Sequence, residues 1–350
     1  MYTRFGDNDI VTRQAQELVT STWTNNTNNL QVAHTASSQA DFTTATSSGQ
    51  FFIEVFNEAT SSTSAEVQYA LAYGHRNGSG SPDFTNDTGS FGLGASRTTY
   101  NQYRQLHFND DTKFFTFGNH TPDDIYIINI NRSRYKQRLT LGSLNLHISG
   151  NCVNVNSASQ NTIHLTDDSV TNGQFADSNL GPVFRIVSGT NGVVSGSVTD
   201  QLTINTSASN YGNFYPQAGL IILNGDAFSQ SLNPATNPGG PSANTDRNHQ
   251  TLFNHISAAG HFIVDTTEEI NSQFYFVRAR NNQYNYTNNE SFVDSSNNIR
   301  FDSMQLNPKV FITTVGLYND AFELLGIAKL SQPVAKDFTK EALIRVKLDF

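Results

Sequence analysis

The stretch FITTVGLYNDAFELLGIAKLSQPVAKDFTKEALIRVKLDF, Phe311–Phe350, decides the fold. Apolar runs at 310–318 and 323–330 flank YNDAFE, in which Asn319 and Asp320 supply the local side-chain hydrogen bonds that turns use. The reading is two strands joined by a turn, with Pro333 ending the second. The last ten residues then alternate. Ile344, Val346, Leu348 and Phe350 point one way, and Leu343, Arg345, Lys347 and Asp349 the other. That is a half-buried strand with one wet or interfacial face. This stretch holds no nucleophile beside a base and no cluster of metal ligands.

The same grammar recurs along the rest of the chain. QFFIEVFN (50–57) and AEVQYALAYG (65–74) read as strands, the second with Val67, Tyr69, Leu71 and Tyr73 on one face. KFFTFG (113–118), the long DDIYIININRSRYKQRL (123–139) and EINSQFYFVRAR (269–280) read likewise. Between about 141 and 228, short strands separated by Gly, Asn, Ser and Asp suggest a small sandwich or barrel. Helix is expected in three places: DNDIVTRQAQELVTSTW (7–23), a little around Tyr100–Leu106, and about Asp246–Ala258, stopped by Gly260. The expected fold class is therefore mainly β, a β-sandwich-like multi-sheet protein with few short helices and an extended N-terminal arm.

Bulk properties agree. Of 350 residues, 15% are charged and 37% hydrophobic, so Asn, Thr, Ser and Gln must cover much of the surface, a composition poor for helices. The length favours two domains. We expect a helix and extended arm over 1–45, a discontinuous β domain from 46–145 completed by 262–350, a β-rich insertion at 146–245, and a short helix or linker at 246–261. A net charge of -9 argues against nonspecific binding of nucleic acid or anionic membrane. No apolar leader or membrane-length apolar run stands in the sequence, so a soluble protein made in a cytoplasm is expected. The single Cys152 leaves no internal disulfide and reads as an inert strand residue.

Chemistry is sparse. His249, His255 and His261 stand six residues apart, wrong for ligands on one helical face. The pairs Asp110–Asp111, Asp123–Asp124, Asp167–Asp168 and Glu268–Glu269 would point to opposite faces of a strand. Asp83 and Asp87 in DFTNDTGS lack a complete calcium loop. GHRNGSGS carries no phosphate-loop lysine. No catalytic residue, cofactor or metal is assigned.

Two features point to surfaces instead. In NRSRYKQRL, Arg132, Arg134, Lys136 and Arg138 recur with period two; on a strand they would share one face. They read as a charge-guarded edge, as a docking strip for an acidic protein, or as a small nucleic-acid contact. In FYFVRAR, Phe274 and Phe276 share a side with Arg278 and Arg280, either as core aromatics beside surface arginines or as interface anchors.

Several stretches resemble virion structural proteins of T4-like contractile-tailed phages, the cyanobacterial kind especially. They are FVRARNNQYNYTNNESFV (276–293), FITTVGLYNDAFELLGIAKLSQP (311–333), EALIRVKLDF (341–350), EVQYALAYGHRNGSGS (66–81), IYIININRSRYKQRL (125–139) and YGNFYPQAGLIILNG (211–225). The resemblance spans most of the chain from about Phe51 and implies no catalytic residue. It implies a structural subunit of the virion tail, in a baseplate wedge, with neck and fibre connector as alternatives. The implied partners are other baseplate or tail proteins, or further copies in a ring or dimer. Tyr284 and Tyr286 join the interface candidates because they fall in the matching text. A carbohydrate-binding module and a glycan-cleaving enzyme are rival readings; the first would need clustered exposed aromatics and the second two convergent carboxylates.

Overall fold

Alternating apolar residues do form the strands of a mainly β protein in the computed structural model. It describes all residues except 1–2, 7, 31–33, 36–51, 81–94, 119, 151–161, 175, 196–209, 233, 235–247 and 350. Expectations for Cys152, for Asp83 and Asp87, for the part of the 141–228 strand series that falls at 151–161 and 196–209, and for most of the arm lie outside the described residues.

In chain order, β1 (Ile10–Ser21), β2 (His34–Thr35), β3 (Phe52–Phe56) and β4 (Val67–His75) precede α1 (Ala95–Phe108). Then come β5 (Asp124–Ile130), β6 (Arg138–Leu139), β7 (Asn145–Ser149), β8 (Thr162–Asp167), β9 (Ala176–Ser178), β10 (Gly181–Thr190) and β11 (Val193–Val194). β12 (Gly212–Tyr215), β13 (Leu220–Asn224), α2 (Ser229–Leu232), α3 (Asn248–Ala259) and β14 (Phe262–Ile263) follow. The chain closes with β15 (Asp265–Ala279), β16 (Val310–Tyr318), β17 (Leu324–Lys336) and β18 (Ala342–Asp349).

The chain forms two compact units, one from Leu18–Glu268 and one from Met1–Glu17 with Glu269–Phe350. The central unit is built on a sheet ordered β14-β7-β8-β10-β12-β13-β5-β4-β3-β2. Both faces of its middle are covered, and the run IYIINI shows why it lacks a polar face. Tyr126, Ile128 and Ile130 join one apolar cluster with Trp23, Leu252, Phe253 and Ile256. Ile125 and Ile127 join another with Tyr100, Phe115 and Phe117. α1 packs on β4 at close range because Gly74 has no side chain; a Cβ there would stand 3.0 Å from the backbone N of Tyr100.

In the terminal unit, β18 pairs with β15, and β16 pairs with β17 as a separate two-stranded sheet. Tyr275, Val277, Ile344 and Val346 pack with Val315 and Leu317 in the core of this unit. Burying Val315, Leu317, Ile344 and Val346 stabilises by roughly 1.5–3 kcal/mol each, and Tyr275 and Val277 are partly buried against them.

Four expectations are corrected. Residues 10–21 are a strand, not a helix. Val11, Thr12, Val19 and Thr20 are β-branched, which favours extended backbone, and β15 supplies the pairing. The segment 146–245 is no separate insertion, because β13 is hydrogen-bonded to β5 from Leu220↔Asn129 to Asn224↔Ile125. Turn density marks where strands end but not which strands pair: of the segment 262–350, residues 262–268 stay with 46–145 in the central unit, whereas Glu269–Phe350 form a unit with Met1–Glu17. KFFTFG forms only an isolated bridge, Phe117↔His120. Finally, β17 runs through Pro333 to Lys336. The pairing shifts from Thr314↔Lys329 to Ile312↔Val334, so Pro333 sits in a bulge that asks no ladder hydrogen bond of it.

Candidate interaction surfaces

The register of β15 and β18 sorts their side chains into two faces. Phe274 lies opposite Lys347, Phe276 opposite Arg345, and Arg278 opposite Leu343. The alternate residues of both strands are the core residues named above, so these six face outward. Val11 of β1 joins Phe274, Phe276, Arg345 and Lys347 to line a groove of about 380 Å³. The phenyl rings are half-buried, and the Arg345 guanidinium stands 5.3 Å from the Phe274 ring centroid, a cation–π distance. Lys347 Nζ is 2.9 Å from Asp349 Oδ1. Asp349 also accepts from Ser272 Oγ at 2.7 Å; that hydrogen bond, then Lys347, holds its carboxyl below the usual range. Among the described residues, Arg278, Arg280 and Arg345 make no ion pair. Phe274, Phe276 and Arg278 thus share a face as the alternation predicts, and Arg280 follows the strand end. Residues of β18 complete that face, a pairing that only register reveals.

The second candidate disperses. Arg132–Arg134 is a 3-10 turn, with Asn131 Oδ1 accepting from Ser133 N at 3.0 Å, and only Arg138–Leu139 is strand. The expected strip of four cations on one strand face is therefore not formed. Arg132 donates from Nη1 to the Tyr135 carbonyl at 2.6 Å and lies over that ring at 4.6 Å. Arg134 Nη1 bonds Glu66 Oε2 at 2.7 Å, so its counter-charge comes from its own chain. The Glu66 carboxyl is held low first by the Thr24 hydroxyl and then by Arg134. Lys136 is exposed, and its backbone N donates to Thr266 Oγ1 at 2.7 Å. Arg138 pairs with Thr267 in the ladder. Asn131 and Ser133, both turn formers, were the signal against a continuous strand.

Tyr284 and Tyr286 stand in the loop after β15. The Tyr284 hydroxyl is 2.8 Å from Thr3 Oγ1, and the exposed Tyr286 ring meets Phe292 edge-on at 5.9 Å. The loop is tied down by Lys336, whose buried Nζ donates to Asn285 Oδ1 at 2.6 Å and to the Asn281 carbonyl at 3.3 Å.

Asp167, Asp168 and Asp124 of the acidic pairs are engaged in local structure. Asp167 accepts from the backbone N of Gly142 at 2.7 Å and Leu144 at 3.2 Å, and Asp168 from that of Arg185 at 2.9 Å. Asp124 is buried beneath Tyr73, whose hydroxyl donates to it at 3.2 Å. Burial, and then Asp226, push its carboxyl up to about 7. Asp226 in turn contacts His120 Nε2. Among the described residues, no group of three or more His, Cys, Asp or Glu is arranged to hold a metal. The six-residue histidine spacing does not converge: His249 is buried on α3, His255 donates to the Ser149 carbonyl at 2.6 Å, and His261 meets Asn145. Instead His261 stacks on His147, which stacks on His164, an arrangement that strand register creates. Trp23 is buried against Phe262, so its ring offers no platform for a sugar. No helix of the described residues is long and apolar enough to cross a membrane.

A further exposed apolar feature is the β16–β17 hairpin. Tyr318, Phe322, Leu324, Leu325 and Ile327 are all exposed around its turn, with Phe311 and Val334 exposed toward the far end. Comparison with known proteins adds no identity to these surfaces: no protein-family model, curated protein or solved structure matches the chain.

Proposed function

We propose that this protein is a non-enzymatic structural subunit that works by packing against other proteins, as a virion component of a contractile phage tail seated in the baseplate wedge. The place in the virion comes from the resemblance of the stretches quoted above. The structural role is supported by one observation in particular: the hairpin around 318–327 presents Leu325 at 71%, Ile327 at 65% and Phe322 at 63% exposure. One side of the hairpin is packed into the core through Val315 and Leu317, but its exposed apolar side chains invite pairing with another chain. An assembly would cover both the apolar side chains and the open strand edges. The partners are then other tail proteins, or copies of this chain in a ring or dimer.

The test is to purify the full chain alone and with the tail proteins encoded beside it, and to measure mass by sedimentation and shape by electron microscopy. The proposal expects a defined complex, or a closed ring of this chain. A protein that stays monomeric with every neighbour, or that hydrolyses a glycan, overturns it.

A further inference from the structure

We infer that the outward face of β15 and β18 is a docking groove for an acidic, extended segment of a partner protein, one that carries an apolar side chain between carboxylates. This rests on the assembly reading and names the chemistry of one partner.

Phe274 and Phe276 lie side by side on β15, half-buried, with Val11 as one wall of the 380 Å³ groove. Such a slot fits an aliphatic or aromatic side chain. Charge comes next. Arg278, Arg345 and Lys347 share this face, and of these three cations Asp349 forms an ion pair with Lys347 alone. The whole chain carries a net charge of -9, so this local excess of cations is the reverse of the molecule's average. Unpaired guanidinium groups beside aromatic rings are suited to binding carboxylates bidentately while the rings take apolar contact.

Spacing completes the fit. Side chains on one face of an extended segment recur about every 6.5–7 Å, the same repeat as Phe274, Phe276 and Arg278 on β15. A segment laid along the groove with Glu, Leu and Glu at alternate positions sets its Leu over the phenyl floor and its carboxylates toward Arg345 and Arg278. A nucleic acid fits less well. Three cations neutralise few phosphates, and the acidic remainder of the chain repels a polyanion.

The probes are fluorescein-labelled peptides of alternating Thr with Glu-Leu-Glu, Gln-Leu-Gln or Lys-Leu-Lys, and a twelve-nucleotide single strand, titrated by anisotropy against the full chain. The Glu peptide is expected to bind roughly 10-fold or more tightly than the Gln peptide, and to weaken with salt. Arg345→Gln and Arg278→Gln should each cost it roughly 5-fold or more, and Phe274→Leu should weaken the Glu and Gln peptides alike, whereas Arg134→Gln should leave binding unchanged. The inference is overturned by equal binding of the three peptides, by no binding up to about 1 mM, by tighter binding of the oligonucleotide, or by a folded Arg345→Gln protein that binds as wild type. If the chain assembles while ignoring the Glu peptide, the groove alone fails. If it binds the peptide yet stays solitary with all tail proteins, the assembly reading fails and the groove stands.

Discussion

His147 and His164 stack face to face across β7 and β8, with ring centroids 3.8 Å apart and planes 3° from parallel. His261 lies on the other side of His147 at 4.1 Å. Stacked imidazoles tolerate one another when neutral and repel when charged. Burial, then His164 and His261, push His147 down to about 4, and His261 is lowered as well, by burial first and then His164. Among the described residues the stack is hydrogen-bonded to neutral amides: Asn145 bonds both His147 and His261, and Asn191 bonds Asn145.

From this follows an acid-sensitivity prediction. The folded pKa of His147 lies below the unfolded value near 6.5, so the unfolded chain binds more protons between these values. The stability of the neutral stack is present above about pH 6.5 and is lost as pH falls toward about 4. Melting temperatures from pH 8 to 4.5 should decline less steeply in His147→Asn than in wild type. Parallel curves would show that His147 does not contribute to the acid sensitivity.

Asp124 has the opposite sign. Its folded pKa of about 7 lies above its unfolded value, so folding binds the proton and the contribution is full at low pH and lost as pH rises through about 7. Asp124→Asn should therefore be more stable than wild type at pH 8, on the order of 1–3 kcal/mol, with little difference at pH 4. Urea unfolding at the two values checks this, and a variant weaker at pH 8 would contradict it.

Gly225 is packed against that carboxyl. A Cβ at Gly225 would fall 2.2 Å from Asp124 Oδ1, and its backbone N donates to the Asp124 carbonyl at 3.1 Å. Gly225→Ala should destabilise by roughly 1–3 kcal/mol through overpacking. Because the chain has one tryptophan, buried in this unit, Trp23 emission during denaturation gives the readout.

Lys336 should behave as a tether. Replacing it by Met leaves the Asn281 carbonyl and Asn285 Oδ1 without this donor, at a cost of roughly 1–3 kcal/mol. Hydrogen exchange in residues 281–286 should quicken. An unchanged exchange pattern would show that the lysine does not hold the loop.

The hairpin tip should separate stability from association. Leu325→Gln and Ile327→Thr alter exposed side chains, so unfolding should shift within about 0.5 kcal/mol. Association measured by sedimentation should fall. If both variants assemble like wild type, the tip is not the joining surface.

How much was readable follows from the range of each signal. Alternation is local, so β4, β5, β15 and β16 could be placed from their own residues, and so could the shared face of Phe274, Phe276 and Arg278. The strand at Ile10–Ser21 could not, because its residues fit a weak helical spacing and only pairing with β15 decided otherwise. The arginine series 132–138 misled for a related reason. Period two in the text needs continuous extended backbone to become a stripe, and Asn131 and Ser133 turn the chain there.

By itself the sequence determined a mainly β chain with few charges, a closing strand with one apolar and one cationic face, and aromatic residues set beside arginines. The tertiary structure alone decided that Arg345 and Lys347 lie across from Phe276 and Phe274, that three distant histidines stack, and that the first residues join the last in one unit. The reason is physical. Side-chain alternation is written within each strand, whereas register is set by hydrogen bonds between strands far apart in the chain, and a shift of one residue would turn every side chain to the other face.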